Sequence, residues 1–333
     1  MISCCTHYQH NDILKQYLLL CIFIKLIERN NFSFNSSNSS FTECTRKRSL
    51  NNNSNNKKPK SNNINPQCSH YTTEGKCIYN TQSVTLSDGQ EHTFTDSEFI
   101  RCHHSGCGGA IDQTGGGTLI IKRCVFDTCS CTDRGGAVSF RRVGTCIQED
   151  NLYTHCTSTE YTGGFNSYEI WNNVVHNHKR CTYIDSQAPY YGHFCIEFAE
   201  DAVIESNIHI HGRSDGSLHA GTVVNYQAQG AIVHSNSLFV DGKAYNSGGL
   251  SFLGEYTSGS ASLSVKFCFF FNNYATDNSA KEIYFDGNTT SRACKDLIIH
   301  SFTSTPNSKV FVPSDNPQDQ DWLPLTIFHF FLS

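Results

Sequence analysis

The chain has 333 residues, a net charge of -5 and only 17% charged residues, against about 25% in an ordinary globular protein. That balance leaves no broad basic field for nucleic acid, and polarity comes instead from Asn, Ser, Thr and His, which suit contacts with sugars or proteins. Seventeen cysteines are many for this length, yet the tandem CxxC pairs of zinc modules are absent.

In chain order, residues 1–29 carry the apolar run YLLLCIFI at 17–24, preceded by Lys15 and interrupted by Lys25. Its length suits a signal peptide, but no small-x-small cleavage site follows, and it falls short of the roughly 20 residues a spanning helix needs. It reads either as a signal or anchor, with membrane association through residues 17–27, or as a short buried segment. Residues 30–66 are nearly all Asn, Ser, Lys and Arg. Such a tract has too little apolar surface to offset its ordering entropy and reads as a disordered linker. Its basic runs, Arg46-Lys47-Arg48 and Lys57-Lys58-Pro59-Lys60, read as a solvated tract, and no nucleic-acid partner is expected.

From residue 77 to 312 a unit repeats. Anchors fall at Ser97, Cys124, Asn151, Cys181, Asn207, Asn236 and Cys268, and two positions later stand Phe99, Phe126, Tyr153, Tyr183, His209, Leu238 and Phe270. Gly or Ala corners follow at Gly108, Gly135, Gly163, Gly192, Ala220, Gly248 and Ala280, spaced 27, 28, 29, 28, 28 and 32 residues apart. The runs before the anchors are β-branched or apolar, as in Leu119-Ile120-Ile121 and Ala231-Ile232-Val233, and no sustained helical stripe appears. Leucine-rich and helical arrays are thereby excluded. The fold class is all-β: a right-handed parallel β-helix with a disordered N-terminal region, in which stacked rungs pile the large residues into one column. Paired glycines are expected to supply positive φ and close approach at each corner. Residues 313–333 are expected to cap the open end or to be the remnant of a longer tail.

Four units carry a tighter pattern, an aromatic followed three residues later by Cys or Asn: Phe99 to Cys102, Phe126 to Cys129, Tyr153 to Cys156 and Phe270 to Asn273. With Gly108-Gly109-Ala110-Ile111, this resembles the FxxN and GGA(I/L/V) motifs of the polymorphic outer-membrane protein family. Cysteine replaces asparagine in three of the four. The resemblance covers residues 90–300, matches the passenger repeats alone, and implies a β-helical surface adhesin.

Three accounts of the repeat cysteines stand open: small buried residues in a ladder, disulfides between neighbouring rungs, or metal ligands. Enzymatic β-helices need acidic groups aligned on adjacent rungs. Asp112, Asp133, Glu160, Asp185 and Asp215 lie at differing offsets and form no such column. The best local cluster is His209-Ile210-His211-Gly212-Arg213-Ser214-Asp215, where strand alternation would set both histidines on one face. His176-Asn177-His178 has the same spacing, and a core histidine is the simpler account of both. No catalytic residue, cofactor or metal site is assigned. The expectation is a non-enzymatic adhesion or recognition protein, extracellular or at the cell surface, whose partner is a surface protein or glycan of a host or neighbouring cell. The alternatives are a polysaccharide lyase or glycoside hydrolase, and a degenerate fragment of a larger surface protein.

Overall fold

The computed structural model describes residues 70–71, 77–286, 296–303 and 318–324, apart from 143, 169–173, 198, 217–220, 227–229, 254–261 and 277–281. The expected signal segment and linker lie outside the described residues. Within them every regular element is a strand. One circuit of the chain runs through Gly117–Lys122, a bend at Arg123, Val125–Asp127, a second bend at Thr128, Ser130–Cys131, a loop, and Val138–Arg141. The next circuit, Gly144–Glu149, Leu152–Thr154, Thr157–Ser158 and Phe165–Tyr168, pairs with it strand for strand, in parallel. Repetition yields a 17-stranded sheet holding the long and three-residue strands, a 7-stranded ladder of two-residue strands, and an 8-stranded sheet. The described residues form a parallel β-helix, as the period requires.

The core is ordered by one column. The middle residues of the three-residue strands, Phe99, Phe126, Tyr153, Tyr183, His209 and Phe239, and their paired equivalents Tyr79 and Phe270 in longer strands, are each 0% exposed. Their ring centroids stand 4.4 to 5.0 Å apart with planes within 10°. Parallel strands repeat at about 4.8 Å, so each ring rests on its equivalent in an offset stack worth roughly 0.5–1.5 kcal/mol beyond its burial. The expected column differs at one rung: Phe239, not Leu238, is stacked, and Ser237, not Asn236, is the anchor. Asn236 has φ 52 and forms the left-handed bend, while Ser237 Oγ accepts the Asn207 amide at 3.2 Å. Asn suits both roles, so its identity alone set the register one residue early.

The corner row is also shifted. Strand pairing aligns Ile111, Val138, Phe165, Phe194, Val223 and Leu250, and the residues two positions earlier are Gly109, Gly136, Gly163, Gly192, Gly221 and Gly248. Gly108 and Gly135 sit one place before that row, and only they show the expected positive φ, +65 and +69. Ala220 and Ala280 lie outside the described residues. In the row itself glycine is required by approach: a Cβ at Gly136 would stand 2.1 Å from the Gly163 carbonyl oxygen, and one at Gly192 1.8 Å from that of Gly221.

At the bends, Asn and Cys perform one task. Asn151 Oδ1 accepts the Cys124 amide at 2.9 Å and Asn207 Oδ1 that of Cys181 at 2.8 Å. Cys124, Cys181 and Cys268 turn their thiols to the carbonyl two residues back, at 3.4 to 3.6 Å. In the second row Cys102, Cys129 and Cys156 donate to the carbonyls of Tyr79, Phe99 and Phe126, the aromatics one rung away, at 3.4 to 3.6 Å. Asn273 Nδ2 does the same to Phe239 at 3.2 Å, which explains why Cys and Asn interchange in the aromatic-x-x-Asn pattern. The described cysteines from Cys102 to Cys268 are buried free thiols, and ladder packing accounts for the six in the two bend rows; Cys77 is disulfide-bonded. Near the C-terminus, Gln318–Pro324 pairs in parallel with Asp296–Thr303 and extends the large sheet; residues 325–333 of the expected cap lie outside the described residues.

Gly136→Ala and Gly192→Ala are expected to lower stability by ~1–3 kcal/mol or more through overpacking against backbone. Gly106→Ala, whose added methyl meets only the His104 ring at 3.3 Å, should be nearly neutral. Phe239→Ala should cost ~3–5 kcal/mol and Leu238→Ala far less. Denaturant midpoints of the five variants check both assignments, and a costlier Leu238 variant would refute the register.

Candidate recognition face

The fold separates the residues that sequence proximity groups together. His209 ends in the aromatic stack, between Tyr183 and Phe239 at 4.9 and 5.0 Å. His211 lies beyond the strand Ile208–Ile210 with φ 57, so alternation stops before it and its ring turns outward, contrary to the expected shared face. Asp215 is exposed and accepts a hydrogen bond from Gln187, and the three groups do not converge. His176 and His178 both point into the core. Asp112 is buried and paired with Arg141 at 2.6 Å, Asp133 accepts the Cys107 thiol at 3.2 Å, and Glu160 is exposed. Contrary to the expected differing offsets, Asp133 and Glu160 each follow their paired two-residue strands by two residues and stand at equivalent places on adjacent rungs, whereas Asp112, Asp185 and Asp215 lie elsewhere on the rod.

One cluster escaped the sequence reading. Arg134, Tyr161 and Tyr190 each stand four residues before the inward start of their rung's strand in the 8-stranded sheet, so they stack. The Arg134 guanidinium lies 3.9 Å from the ring centres of both Tyr161 and Tyr168, and Tyr161 stacks on Tyr190 at 5.1 Å. Arg134 also donates to buried Glu197 at 2.6 Å. Burial pushes the Glu197 carboxyl up to about 7 although Arg134 opposes the shift, and such a carboxyl is a natural candidate for acid-base work. Here, however, cation, rings and carboxylate satisfy one another and close over the sheet, so the cluster pins the loops to the outer face. The signal was a three-rung alignment at a fixed offset, visible only once the register was known.

The open surface is the outer side of the three-residue strands. Two rows of bends border it. In the first, Arg123 grips Asp96 at 2.7 and 2.8 Å, and Arg180 grips Asp150 at 2.7 Å. In the second, histidines and aspartates alternate: His155 lies 3.4 Å from Asp127 and 3.8 Å from Asp185, and His211 bridges Asp185 at 3.0 Å and Asp241 at 3.4 Å. Between the rows, the outward residues grow apolar toward the C-terminal rungs, from Glu98 and Asp127 to Ile208, Leu238, Val240, Phe269 and Phe271, with Ile210 buried. Of these Phe271 is 51% exposed, and it is flanked by Phe267 in the first bend row, 38% exposed, and Tyr274 past the second, 52% exposed. An apolar field with a charged border is the anatomy of a protein-binding patch.

No family model matches this chain, and no curated protein or solved structure matches it either.

The bonds to Asp185 and Asp241 hold His211 protonated up to about 9, against an ordinary 6.5. Burial pushes both aspartates up, and the bonds to His211 override it, leaving them below the ordinary carboxylate range. Because the folded value of His211 is the higher one, its contribution is complete below about 6.5 and lost as pH rises through about 9. The melting temperature of His211→Asn, a residue that tolerates the left-handed bend, should fall below that of the parent near neutrality. The gap should close above about pH 9; a constant gap across the range would refute the ladder's role.

Proposed function

We propose that this chain is a non-enzymatic recognition protein, secreted or held at the cell surface, that binds a protein of a host or neighbouring cell along the outer face of its three-residue strands. The observation that carries the reading is the run of apolar residues from Ile208 to Phe271, bordered by the His/Asp row. A glycan would favour a polar cleft with one or two platform rings, and the best such cluster, Arg134 with Tyr161 and Tyr168, is internally satisfied. The paired state of Asp112 and Glu197 supports a non-catalytic role, since a general acid or base must reach a substrate. Buried thiols are shielded from oxidants, so their number is compatible with an oxidising compartment. The likeness to polymorphic outer-membrane passenger repeats supports a surface adhesin, with residues 17–27 as the means of export or attachment.

Two measurements test this reading. A tagged copy should be detected on intact cells or in the medium, and detection only after permeabilisation would refute surface display. Purified chain should bind intact target cells, and Phe271→Asp should weaken that binding by ~10-fold or more, as expected for an aromatic contact that becomes buried on binding. Asp88→Asn, remote from the face, should leave it unchanged. Binding lost after glycosidase treatment of the cells but resistant to protease would replace the protein partner with a glycan. Turnover of acidic or neutral polysaccharides by the purified chain would establish the lyase or hydrolase alternative.

A further inference from the structure

The inward residues of the long strands are mostly apolar, with polar groups on two neighbouring rungs and again at His234, two rungs further on. Leu119 and Ile121 lie on one side and Ala202 and Ile204 on the other, and between them come Cys146 with Gln148, then His176 with His178. A repeat supplies its own reference, and by that reference these positions accept aliphatic side chains. Cys146, His176 and His178 are fully buried ionisable groups; His234 is buried as well, but among the described residues only the first three bring their ligand atoms together.

Each of the three offers one ligand atom, and these atoms lie within 4.8 Å of one another. His176 Nδ1 faces His178 Nε2 at 3.3 Å. A hydrogen bond there engages the two rings alone and leaves Cys146 with a 3.9 Å contact from Gln148 Nε2. Two imidazole nitrogens bound to one metal at about 2.0–2.1 Å stand about 3.3–3.6 Å apart for tetrahedral to trigonal angles. The pair is already at that spacing. Edges of Phe140, Phe165 and Phe194 pack against the two imidazoles, with centroids 4.8 to 6.2 Å away, which fixes the rings and keeps the space dry.

We propose that Cys146, His176 and His178 form an interior site for a soft monovalent cation, copper(I). The ligand set is one thiolate and two imidazoles, which suits copper and zinc above harder ions. Charge separates those two. On binding, the Cys146 thiol loses its proton to solvent and forms a sulfur–copper bond with no change in oxidation state, and the thiolate cancels the single charge of the ion. Zinc would leave a net positive charge in a sealed apolar core, where an uncompensated ion is heavily penalised. Three protein ligands also complete a trigonal site without water. Because the core is closed, the ion enters as the chain folds.

The test is to refold the full-length chain anaerobically under reducing conditions with copper(I) and zinc in equal amounts. Loosely held metal is stripped with a copper(I) chelator, the protein is desalted, and retained metal is counted by mass spectrometry. One retained copper per chain is expected, with an X-ray absorption spectrum showing one sulfur and two imidazole neighbours. Cys146→Ser and His178→Leu should retain about tenfold less copper or lower still, and Cys268→Ser should retain it all. Absence of chelator-resistant metal in the parent chain, or copper surrounded by sulfur alone, would overturn the site. Preferential retention of zinc would overturn the monovalent assignment. If Cys146→Ser fails to fold by circular dichroism, the parent's absorption spectrum still decides.

Discussion

The hydrogen-bonded pitch of parallel strands, about 4.8 Å, is the constraint on which the rest of this molecule depends. Every side chain that points inward meets its equivalent one rung away at that distance. Flat rings satisfy the condition best, because the pitch falls at the close end of the range for offset stacking. The column from Tyr79 to Phe270 is the result, and the same pitch admits His209 between Tyr183 and Phe239 because an imidazole is also flat. It also leaves no room for a Cβ where backbone turns edge-on toward the next rung, and the glycine row from Gly109 to Gly248 answers that demand.

A rod of straight strands needs sharp bends, and the chain makes two on each rung with single left-handed residues. Most are not glycine: Arg123, Thr128, Asp150, His155, Arg180 and Asp185 all have φ between 53 and 57. Such conformations cost ~1–3 kcal/mol each and persist only when their surroundings over-determine them. Here the residue after each bend anchors the turn. Asn151 and Asn207 bond to the amide of the rung beside them, and Cys129 and Cys156 bond to the carbonyl of an aromatic one rung away. A thiol is a weak donor but a compact one, so stacked cysteines fill the corner with little void and no unmet amide group.

Placing left-handed residues at the bends has a second effect. Their side chains project outward in register, so charges of alternating sign form continuous rows: Asp96, Arg123, Asp150 and Arg180 on one edge, and His155, Asp185, His211 and Asp241 on the other. Exposed pairs of this kind contribute little stability singly. Their value is geometric, because they border a flat, regularly spaced face whose C-terminal half is apolar, and a recognition surface needs little more. The interior and exterior therefore follow from one period, with stacking inside and display outside.

Much of this was legible in the sequence. A near-constant period, short β-branched runs and paired glycines determined the parallel β-helix, because each is a local requirement of a stacked rung. The anchors and aromatics were also legible, except at Asn236 and Leu238, where asparagine serves either as the bend or as the ladder residue and only strand pairing separates them. Which residues become spatial neighbours was not legible. His209 and His211, two residues apart, face opposite ways because a left-handed residue ends the alternation. Cys146 and His176, thirty residues apart in a chain whose linear spacing shows no metal motif, share one inward row. Composition and period determine which residues recur; the number of residues each loop inserts determines which recurrences meet, and only the tertiary structure, by closing each rung onto the next, decides that.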